Sequence, residues 1–273
     1  MAQTCYRHPN RETGVSCSNC GRPICPDCMT PTPVGMRCPD CARQRTRVTR
    51  GVGETSLAMK APATVALIAI NVAAFLAEVA SGAGGLTPTG SSVVINFGLF
   101  GPFVAEGEWY RLLTSGFLHA SILHIGFNMF ALYFLGRILE PGIGTPRFLA
   151  IYFVSLFAGS LGATILSPDT LTIGASGAIF GIFGATFVIA RHRGITGLAS
   201  SVGIILVLNL VYTLGNPEIS LGGHVGGLIG GLLCALFIVA GERGYLGEKH
   251  TPMELLAMTA VGFFCIASAI AIA

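Results

Sequence analysis

The stretch TIGASGAIFGIFGATFVIARHR, residues 172–193, contains the pattern that decides the fold. Its central part is a run of apolar and small residues, and it ends at the basic residues Arg191 and Arg193. Basic residues collect on the cytoplasmic side of membrane helices, so the stretch predicts a membrane span that ends in the cytoplasm. Its other end has a serine, Ser176, in the sequence Gly-Ala-Ser-Gly. A serine that could act as a nucleophile, placed at the start of a membrane helix, needs a chemical explanation.

The composition of the whole chain also indicates a membrane protein. Of its 273 residues, 52% are hydrophobic and 11% are charged, whereas a soluble domain carries about 25% charged residues. Runs of about 20 apolar residues are long enough to cross a bilayer. Seven such runs occur, at 62–80, 119–139, 147–166, 175–191, 198–215, 221–240 and 253–272. They predict an all-α, multi-pass membrane protein, which we place in the plasma membrane.

The basic residues predict the orientation of the spans. They precede the first span, from Arg43 to Lys60, and recur between the second and third, fourth and fifth, and sixth and seventh spans. By the positive-inside rule, the N-terminus is cytoplasmic and the C-terminus is outside. The first apolar run is too long to be the apolar part of a signal peptide, so we expect the preceding residues to stay in the cytoplasm.

The N-terminal segment differs in composition and contains seven of the nine cysteines. A reducing cytoplasm argues against disulfides. The cysteines and one histidine form four pairs with two-residue gaps, the spacing that lets both side chains of a pair reach one zinc ion. The pairs are Cys5 with His8, Cys17 with Cys20, Cys25 with Cys28, and Cys38 with Cys41. We therefore predict a zinc-binding module at 1–45 with two structural zinc ions, a basic linker at 46–60 and a membrane domain at 61–273.

The order of the pairs resembles a B-box or another cross-braced double zinc finger. In that arrangement Cys5, His8, Cys25 and Cys28 would hold one ion, and Cys17, Cys20, Cys38 and Cys41 the other. A sequential arrangement is the alternative. Sites closed by four protein ligands are structural rather than catalytic, so the module is expected to bind a cytoplasmic protein partner or to regulate the membrane domain. The basic run is explained more simply by the positive-inside rule than by nucleic-acid binding, and no nucleic acid is expected as a partner.

Rare polar residues lie at one predicted depth in the membrane domain. His119, His124 and Asn128 begin the second span, Ser176 begins the fourth and His224 begins the sixth, all on the outer side. Ionisable residues inside spans are costly and are usually functional. Structural packing explains one such histidine more easily than three histidines, a serine and an asparagine at the same depth.

Glycines predict that the fourth and sixth spans pack closely. Gly177 and Gly181 on one span, and Gly227 and Gly231 on the other, form small-xxx-small steps that let helix backbones approach. Such packing would bring Ser176 within hydrogen-bond reach of His224.

This pair predicts a nucleophilic serine and its general base. The spans offer no suitable acid to orient the histidine, so we expect a Ser–His dyad rather than a triad. His124 and Asn128, spaced i and i+4, share a helix face and could stabilise an oxyanion with His119 nearby.

Four pieces of sequence, in this order, resemble the rhomboid family of intramembrane serine proteases. They are EWYR (108–111), HASILHIGFN (119–128), GASG (174–177) and GHVGGLIGG (223–231), within a resemblance that covers about residues 60–272. The resemblance implies a bundle of six core helices plus a C-terminal seventh, which is a known variation in the family. It also implies a partly embedded loop at about 82–118 that shields the site. The implied substrates are membrane proteins with helix-breaking transmembrane segments, cleaved near the outer face.

The resemblance also assigns roles to individual residues. Ser176, flanked by Gly174 and Gly177, would be the nucleophile and His224 the base. Oxyanion contacts would come from His124, Asn128 and the backbone N–H of Ser176, and Phe180 would stack on the catalytic histidine. Arg111 matches the arginine of a Trp-Arg motif, but Tyr110 stands where tryptophan is usual and Trp109 lies one residue earlier.

Other classes of protein fit the sequence less well. A catalytically inactive relative that binds membrane clients usually lacks the serine or the histidine, and both are present here. A transporter would place polar residues near mid-membrane and show internal repeats. No His-Glu-x-x-His motif occurs and no aspartate lies in a predicted span, so zinc and aspartyl proteases are unsupported. Cys234 and Cys265 are most simply packing residues.

Overall fold

The computed structural model describes residues 3–32, 35–43, 61–82, 85–246 and 250–273. The chain divides into two compact units, residues 1–54 and 55–273, and each is treated by itself. The predicted linker at 46–60 therefore lies entirely outside the described residues. The predicted division into a module at 1–45, a linker at 46–60 and a membrane domain at 61–273 stays a prediction.

The N-terminal unit consists of short elements around buried cysteines. Strands β1 (Gln3–Cys5) and β2 (His8–Thr13) form one antiparallel hairpin, and β3 (Thr30–Thr32) and β4 (Gly35–Arg37) form another. A 3₁₀ turn at Pro26–Cys28 and helix α1 (Pro39–Arg43) complete the described part of the unit. Its buried hydrophobic cluster is six of its cysteines together with Ile24. A core this small does not usually hold a short segment folded without metals or disulfides.

The membrane unit is a bundle of long apolar helices. Its helices are α2 (Pro62–Ser81), α3 (Ser92–Phe97), α4 (Gly101–Ala105), α5 (Arg111–Thr114), α6 (Ile122–Ile143), α7 (Thr145–Leu166), α8 (Ser176–His192), α9 (Thr196–Leu214), α10 (Leu221–Glu242) and α11 (His250–Ile272). Six of the described helices are long and apolar enough to cross a membrane, and α8 is a shorter apolar helix of 17 residues. All seven lie within a few residues of the predicted spans, which confirms the predicted helical membrane fold.

Serine caps fix where two of these helices begin. The hydroxyl of Ser121 accepts a hydrogen bond from the backbone N–H of His124 at 3.2 Å, and α6 starts after it. The hydroxyl of Ser220 accepts from the backbone N–H of Gly223 at 3.0 Å, and α10 starts after it. Such caps satisfy N–H groups that have no partner within the helix. They place His124 and His224 on the first turns of their helices.

His119 is an exception to the predicted spans. The sequence predicts that the second span starts at this residue, but α6 starts after the cap at Ser121, three residues later than predicted. His119 therefore belongs to the connection that leads into the helix.

Close backbone contact between α7, α8 and α10 brings the ends of these helices together. A Cβ added at Gly177 would lie 3.0 Å from the carbonyl oxygen of Gly223, and one added at Gly159 would lie 2.8 Å from the same oxygen. A Cβ at Gly227 or Gly231 would collide with the backbone of α8. The glycine steps therefore allow the close approach of α8 and α10 that the sequence predicts.

The loop between α2 and α6 is organised around a buried arginine. Arg111 donates to the carbonyl oxygens of Ile95 and Gly98, each at 2.8 Å, and pairs with Glu108. The hydrogen bond that Arg111 donates to Glu108 lowers the pKa of the Glu108 carboxyl. Tyr110 and Trp109 are both exposed, and the hydroxyl of Tyr110 lies 3.1 Å from the carbonyl oxygen of Asn96 and 2.9 Å from a carboxylate oxygen of Glu108. The tyrosine is thus the aromatic residue of EWYR that bonds to the loop.

Backbone hydrogen bonds connect this loop to the segment before α8. Leu99 and Thr172 exchange two N–H to carbonyl bonds, at 3.0 and 2.8 Å. The N–H of Gly174 donates to the carbonyl oxygen of Ser115 at 2.9 Å. The residues leading into Ser176 are thereby held by the loop.

Candidate active site

Ser176 is the first residue of α8, directly after its N-cap residue Ala175. A helix start leaves N–H groups without carbonyl partners, and its dipole favours negative charge. Gly174, two residues earlier, has a φ of +133°, in the region that favours glycine. The Gly-Ala-Ser-Gly sequence is therefore a turn into a helix, and it presents the serine hydroxyl beside unpaired N–H groups.

Ser176 and His224 lie within hydrogen-bonding distance, as the helix packing predicts. The Oγ of Ser176 is 2.8 Å from the Nε2 of His224. The ring of Phe180, one turn along α8, stacks on the imidazole of His224 with centroids 4.1 Å apart and planes at 19°. A hydroxyl bonded to the acceptor nitrogen of an oriented imidazole is the arrangement that activates a serine.

The other nitrogen of His224 contacts a residue that the sequence did not single out. The Oγ1 of Thr213, on α9, lies 2.7 Å from the Nδ1 of His224, and Thr213 is buried. An ordinary threonine in an apolar helix gives no sequence signal, and the third member of a catalytic triad is typically an acid. The pair of Ser176 and His224 is therefore extended by a neutral hydroxyl.

Two donors lie on the opposite side of Ser176. The Nδ1 of His124 is 3.3 Å from the backbone N–H of Ala120 and accepts from it, so its other nitrogen, Nε2, carries a proton. A Cβ built on Gly174 would lie 3.0 Å from this Nε2 and 3.5 Å from the Oγ of Ser176. Gly174 thus lies between the serine hydroxyl and His124. Only a side chain as small as hydrogen keeps the space between these two groups open.

Asn128 adds a second donor on the same face of α6. Its side chain is buried, and its Nδ2 has no hydrogen-bond partner among the residues that the structure describes. A buried N–H without a hydrogen-bond partner costs free energy, so such a group in a folded protein calls for an explanation, and a functional role is one. Asn128 and His124 line the same cavity as Ser176 and His224.

His119 lies behind this group. Its ring is fully buried and packs edge-on against His124 with centroids 5.1 Å apart. Its backbone N–H donates to both oxygens of the buried Glu78, at 3.0 and 3.2 Å. His119 is not among the residues that line the cavity, so its contact with the site is through His124.

The cavity has a volume of about 1080 Å³. Polar side chains surround Ser176, and apolar ones such as Phe127, Phe183 and Val202 line other parts. Pockets for compact ligands usually occupy about 300–1,000 Å³. The space is sufficient for a short peptide segment.

The N-terminal unit contains two clusters of possible metal ligands. The ligand atoms within each cluster all lie within 4.8 Å of one another, and the clusters are Cys5, His8, Cys25, Cys28 and Cys17, Cys20, Cys38, Cys41. The Nδ1 of His8 is 3.3 Å from the Sγ of Cys25 and 3.4 Å from that of Cys28. Sulfur atoms around a tetrahedral zinc, each about 2.3 Å from it, lie roughly 3.8 Å apart. The donors and their spacing fit zinc in the cross-braced grouping.

Comparison with known proteins gives consistent results. Residues 106–241 match the Rhomboid domain family. The chain is 35% identical over 193 residues to Rhomboid protease GluP of Bacillus subtilis, a match that covers 69% of the chain and 37% of GluP. It is 37% identical over 147 residues to the Putative rhomboid protease YdcA of the same organism, covering 52% of the chain and 74% of YdcA. It is 34% identical over 183 residues to Rhomboid-like protease 1 of Toxoplasma gondii, covering 63% of the chain and 60% of that protein.

The match thus spans less than two thirds of GluP and of the Toxoplasma protein, but about three quarters of YdcA. The matched domain contains Ser176, His224, His124 and Asn128, whose side chains line one cavity between membrane helices. The chain is a multi-pass integral membrane protein and belongs to the rhomboid family of intramembrane proteases.

Proposed function

We propose that the protein is a serine endopeptidase that cleaves transmembrane segments of membrane proteins near the outer face of the bilayer. The observation that carries this proposal is the 2.8 Å contact between Ser176 and His224 inside a cavity of the membrane unit. The stacked ring of Phe180 orients the same histidine. By the positive-inside rule, this end of α8 is the outer one and the N-terminus is cytoplasmic. We place the protein in the plasma membrane.

In the first step, the Nε2 of His224 takes the proton of the Ser176 hydroxyl while Oγ attacks the carbonyl carbon of the scissile peptide bond. A tetrahedral intermediate forms with negative charge on the former carbonyl oxygen. The imidazolium then gives its proton to the leaving amine, the C–N bond breaks, and an acyl-enzyme remains. Water attacks the acyl-enzyme with His224 again acting as base, which releases the acid product and restores Ser176.

The oxyanion is stabilised from three directions in this proposal. The N–H of Ser176 lies at the start of α8, where the helix dipole favours negative charge. The Nε2–H of His124 lies across Gly174 from the Ser176 hydroxyl, and the side chains of His124 and Asn128 line the same cavity as Ser176. Donors positioned before the reaction need no reorganisation when the charge develops, which is why they accelerate it. Gly177 contributes by allowing α8 to approach α10.

The substrate class follows from the place of the site. A peptide carbonyl within an intact membrane helix is bonded to an N–H one turn later, and the helix backbone is enclosed by its side chains. A helix-breaking segment at the outer end of a span exposes the carbonyl at low cost. We therefore expect substrates to be membrane proteins with such segments, delivered through the lipid bilayer.

We further propose that the N-terminal unit holds two structural zinc ions, one in each cross-braced cluster. The Cys38 N–H donates to the Sγ of Cys17 at 3.3 Å, a hydrogen bond that stabilises the thiolate form that zinc binds. The ions would supply folding free energy to a unit with little apolar core, and catalysis needs no cofactor. A cytoplasmic protein is the expected partner of the module, and no nucleic acid is expected.

Labelling of the purified protein with a fluorophosphonate probe tests the catalytic proposal, because the probe reacts only with an activated serine and no substrate is needed. We expect wild type to be labelled and the variants Ser176→Ala and His224→Ala to be unlabelled. Circular dichroism and size-exclusion chromatography would verify that the variants fold. A well-folded wild type that is not labelled would refute the enzyme and favour an inactive relative that binds membrane clients.

A further inference from the structure

We propose that Thr213 is a positioning residue that holds His224 in the tautomer able to act as a base. This inference rests on the proposed serine protease function. It assigns a role to a residue of α9, a helix that contributes neither the nucleophile nor the base. The sequence pieces that resemble the rhomboid family do not include it.

The contacts of the Thr213 hydroxyl define its role. Its Oγ1 lies 2.8 Å from the carbonyl oxygen of Asn209, one turn earlier in α9, and 2.7 Å from the Nδ1 of His224. The side chain is 3% exposed, so water contributes little to its hydrogen bonding. A buried hydroxyl with two partners at these distances has both contacts satisfied.

A hydroxyl has one proton, and this decides the direction of both bonds. A carbonyl oxygen can only accept, so the proton of Thr213 points to Asn209. The lone pair of Oγ1 is then left for His224, and the Nδ1 of His224 must donate to it. In a neutral imidazole the proton on Nδ1 leaves Nε2 as the acceptor, and Nε2 is the atom 2.8 Å from the Ser176 hydroxyl. The geometry therefore selects the tautomer that removes a proton from serine.

A hydroxyl suits this position better than a carboxylate. In the Ser-His-Asp triad, a carboxylate bonded to Nδ1 fixes the tautomer and also stabilises the imidazolium. A charged carboxylate within the membrane is costly. Thr213 provides the orientation without a charge, and the stacked ring of Phe180 faces the imidazole when it becomes positive.

The experiment compares four purified full-length variants with wild type by the kinetics of fluorophosphonate labelling. Thr213→Val keeps the shape of the side chain and removes the acceptor, Thr213→Ala removes the acceptor with less bulk, and Thr213→Ser keeps it. Thr186→Val is the matched control, because Thr186 is a buried threonine whose hydroxyl donates to the carbonyl oxygen of Ile182 at 2.7 Å. Thermal unfolding of each variant is measured in parallel.

We expect Thr213→Val and Thr213→Ala to lower the maximal labelling rate about tenfold, the value of one lost hydrogen bond, with an unchanged probe concentration at half-maximal rate. Thr213→Ser and Thr186→Val should stay near wild type. A purely structural role would instead lower the unfolding temperature of Thr213→Val and Thr186→Val alike and leave the rate of the folded protein unchanged. Equal maximal rates in wild type, Thr213→Val and Thr213→Ala would overturn this inference while leaving the serine protease intact. An unlabelled wild type would refute both.

Discussion

Replacing Gly174 by alanine should abolish most of the activity without unfolding the protein. A Cβ at this position would lie 2.9 Å from the Cε1 and 3.0 Å from the Nε2 of His124, and 3.5 Å from the Oγ of Ser176. Real Cβ atoms rarely approach other atoms as closely as 3.0 Å, so the imidazole of His124 must move away. In the proposed mechanism, the methyl group would fill the space between Ser176 and His124 in which we expect the oxyanion to form.

The magnitude follows from two separate terms. The φ of +133° at Gly174 costs an alanine roughly 1–3 kcal/mol of folding stability. Displacing one oxyanion donor costs about 10²–10³ in rate, or about 2.7–4 kcal/mol of transition-state stabilisation. The first term affects the folded fraction, and the second affects only the rate of the folded protein.

Gly107 provides the matched control. Its φ is +101°, and a Cβ added to it would meet no heavy atom within 4 Å. Gly107→Ala should therefore be strained to a similar degree as Gly174→Ala but should leave the site untouched. The assay is the rate of fluorophosphonate labelling together with thermal unfolding, for both variants and wild type. If Gly174→Ala labels at the wild-type rate, or if Gly107→Ala loses as much rate, the assigned oxyanion space is wrong.

Three further predictions concern other parts of the chain. Metal analysis should find two zinc ions per purified chain, and the double variant Cys5→Ser with Cys28→Ser should lose one ion, because both residues belong to one cluster; the loss of two ions would indicate sequential sites. Phe180→Tyr should retain the labelling rate and Phe180→Leu should lower it about three- to tenfold, since leucine has no aromatic face for the imidazolium; an equal rate for leucine would contradict this role. Glu254→Gln, which breaks the 2.5 Å ion pair between the buried Glu254 and Arg147, should destabilise the packing of α11 on α7 by about 3–5 kcal/mol, and a double variant with methionine at both positions should recover much of this in thermal unfolding. If the double variant is no more stable than Glu254→Gln, the broken ion pair is not the cause of the lost stability.

The sequence predicts the spans and the identity of the polar residues because these are encoded locally. Apolar length defines α2 and α6 to α11, and the serine caps at Ser121 and Ser220 are typical starts. The approach of α8 to α10 is also encoded, since glycine steps are a direct signal of close packing. Confirmation is limited to the fold and the family, and the roles of Ser176 and His224 stay predictions until labelling is measured.

Other features depend on contacts that no local pattern records. Thr213 lies at the end of α9 and His224 on the first turn of α10, and the short connection between the two helices brings the side chains together. A threonine in an apolar helix gives no local signal of such a contact. His119 lies in the connection before α6, which begins three residues later than the sequence predicts, and it does not line the cavity. In the loop, Tyr110 rather than Trp109 contacts the backbone carbonyl of Asn96. The neighbouring carbonyl of Ile95 accepts a hydrogen bond from Arg111, and no local sequence pattern records these contacts.

The starts of three helices affect the charges that would form in the reaction proposed for Ser176 and His224. Ser176 begins α8, and His124 and His224 lie on the first turns of α6 and α10. The positive ends of these helix dipoles favour the oxyanion, but the same field disfavours the imidazolium that forms on His224 at the same moment. The reaction therefore needs a compensation for the positive charge that does not also repel the oxyanion. We expect the face of Phe180 to stabilise the imidazolium in this way. The quadrupole of the Phe180 ring acts only over a short distance and faces His224, with the ring centroids 4.1 Å apart.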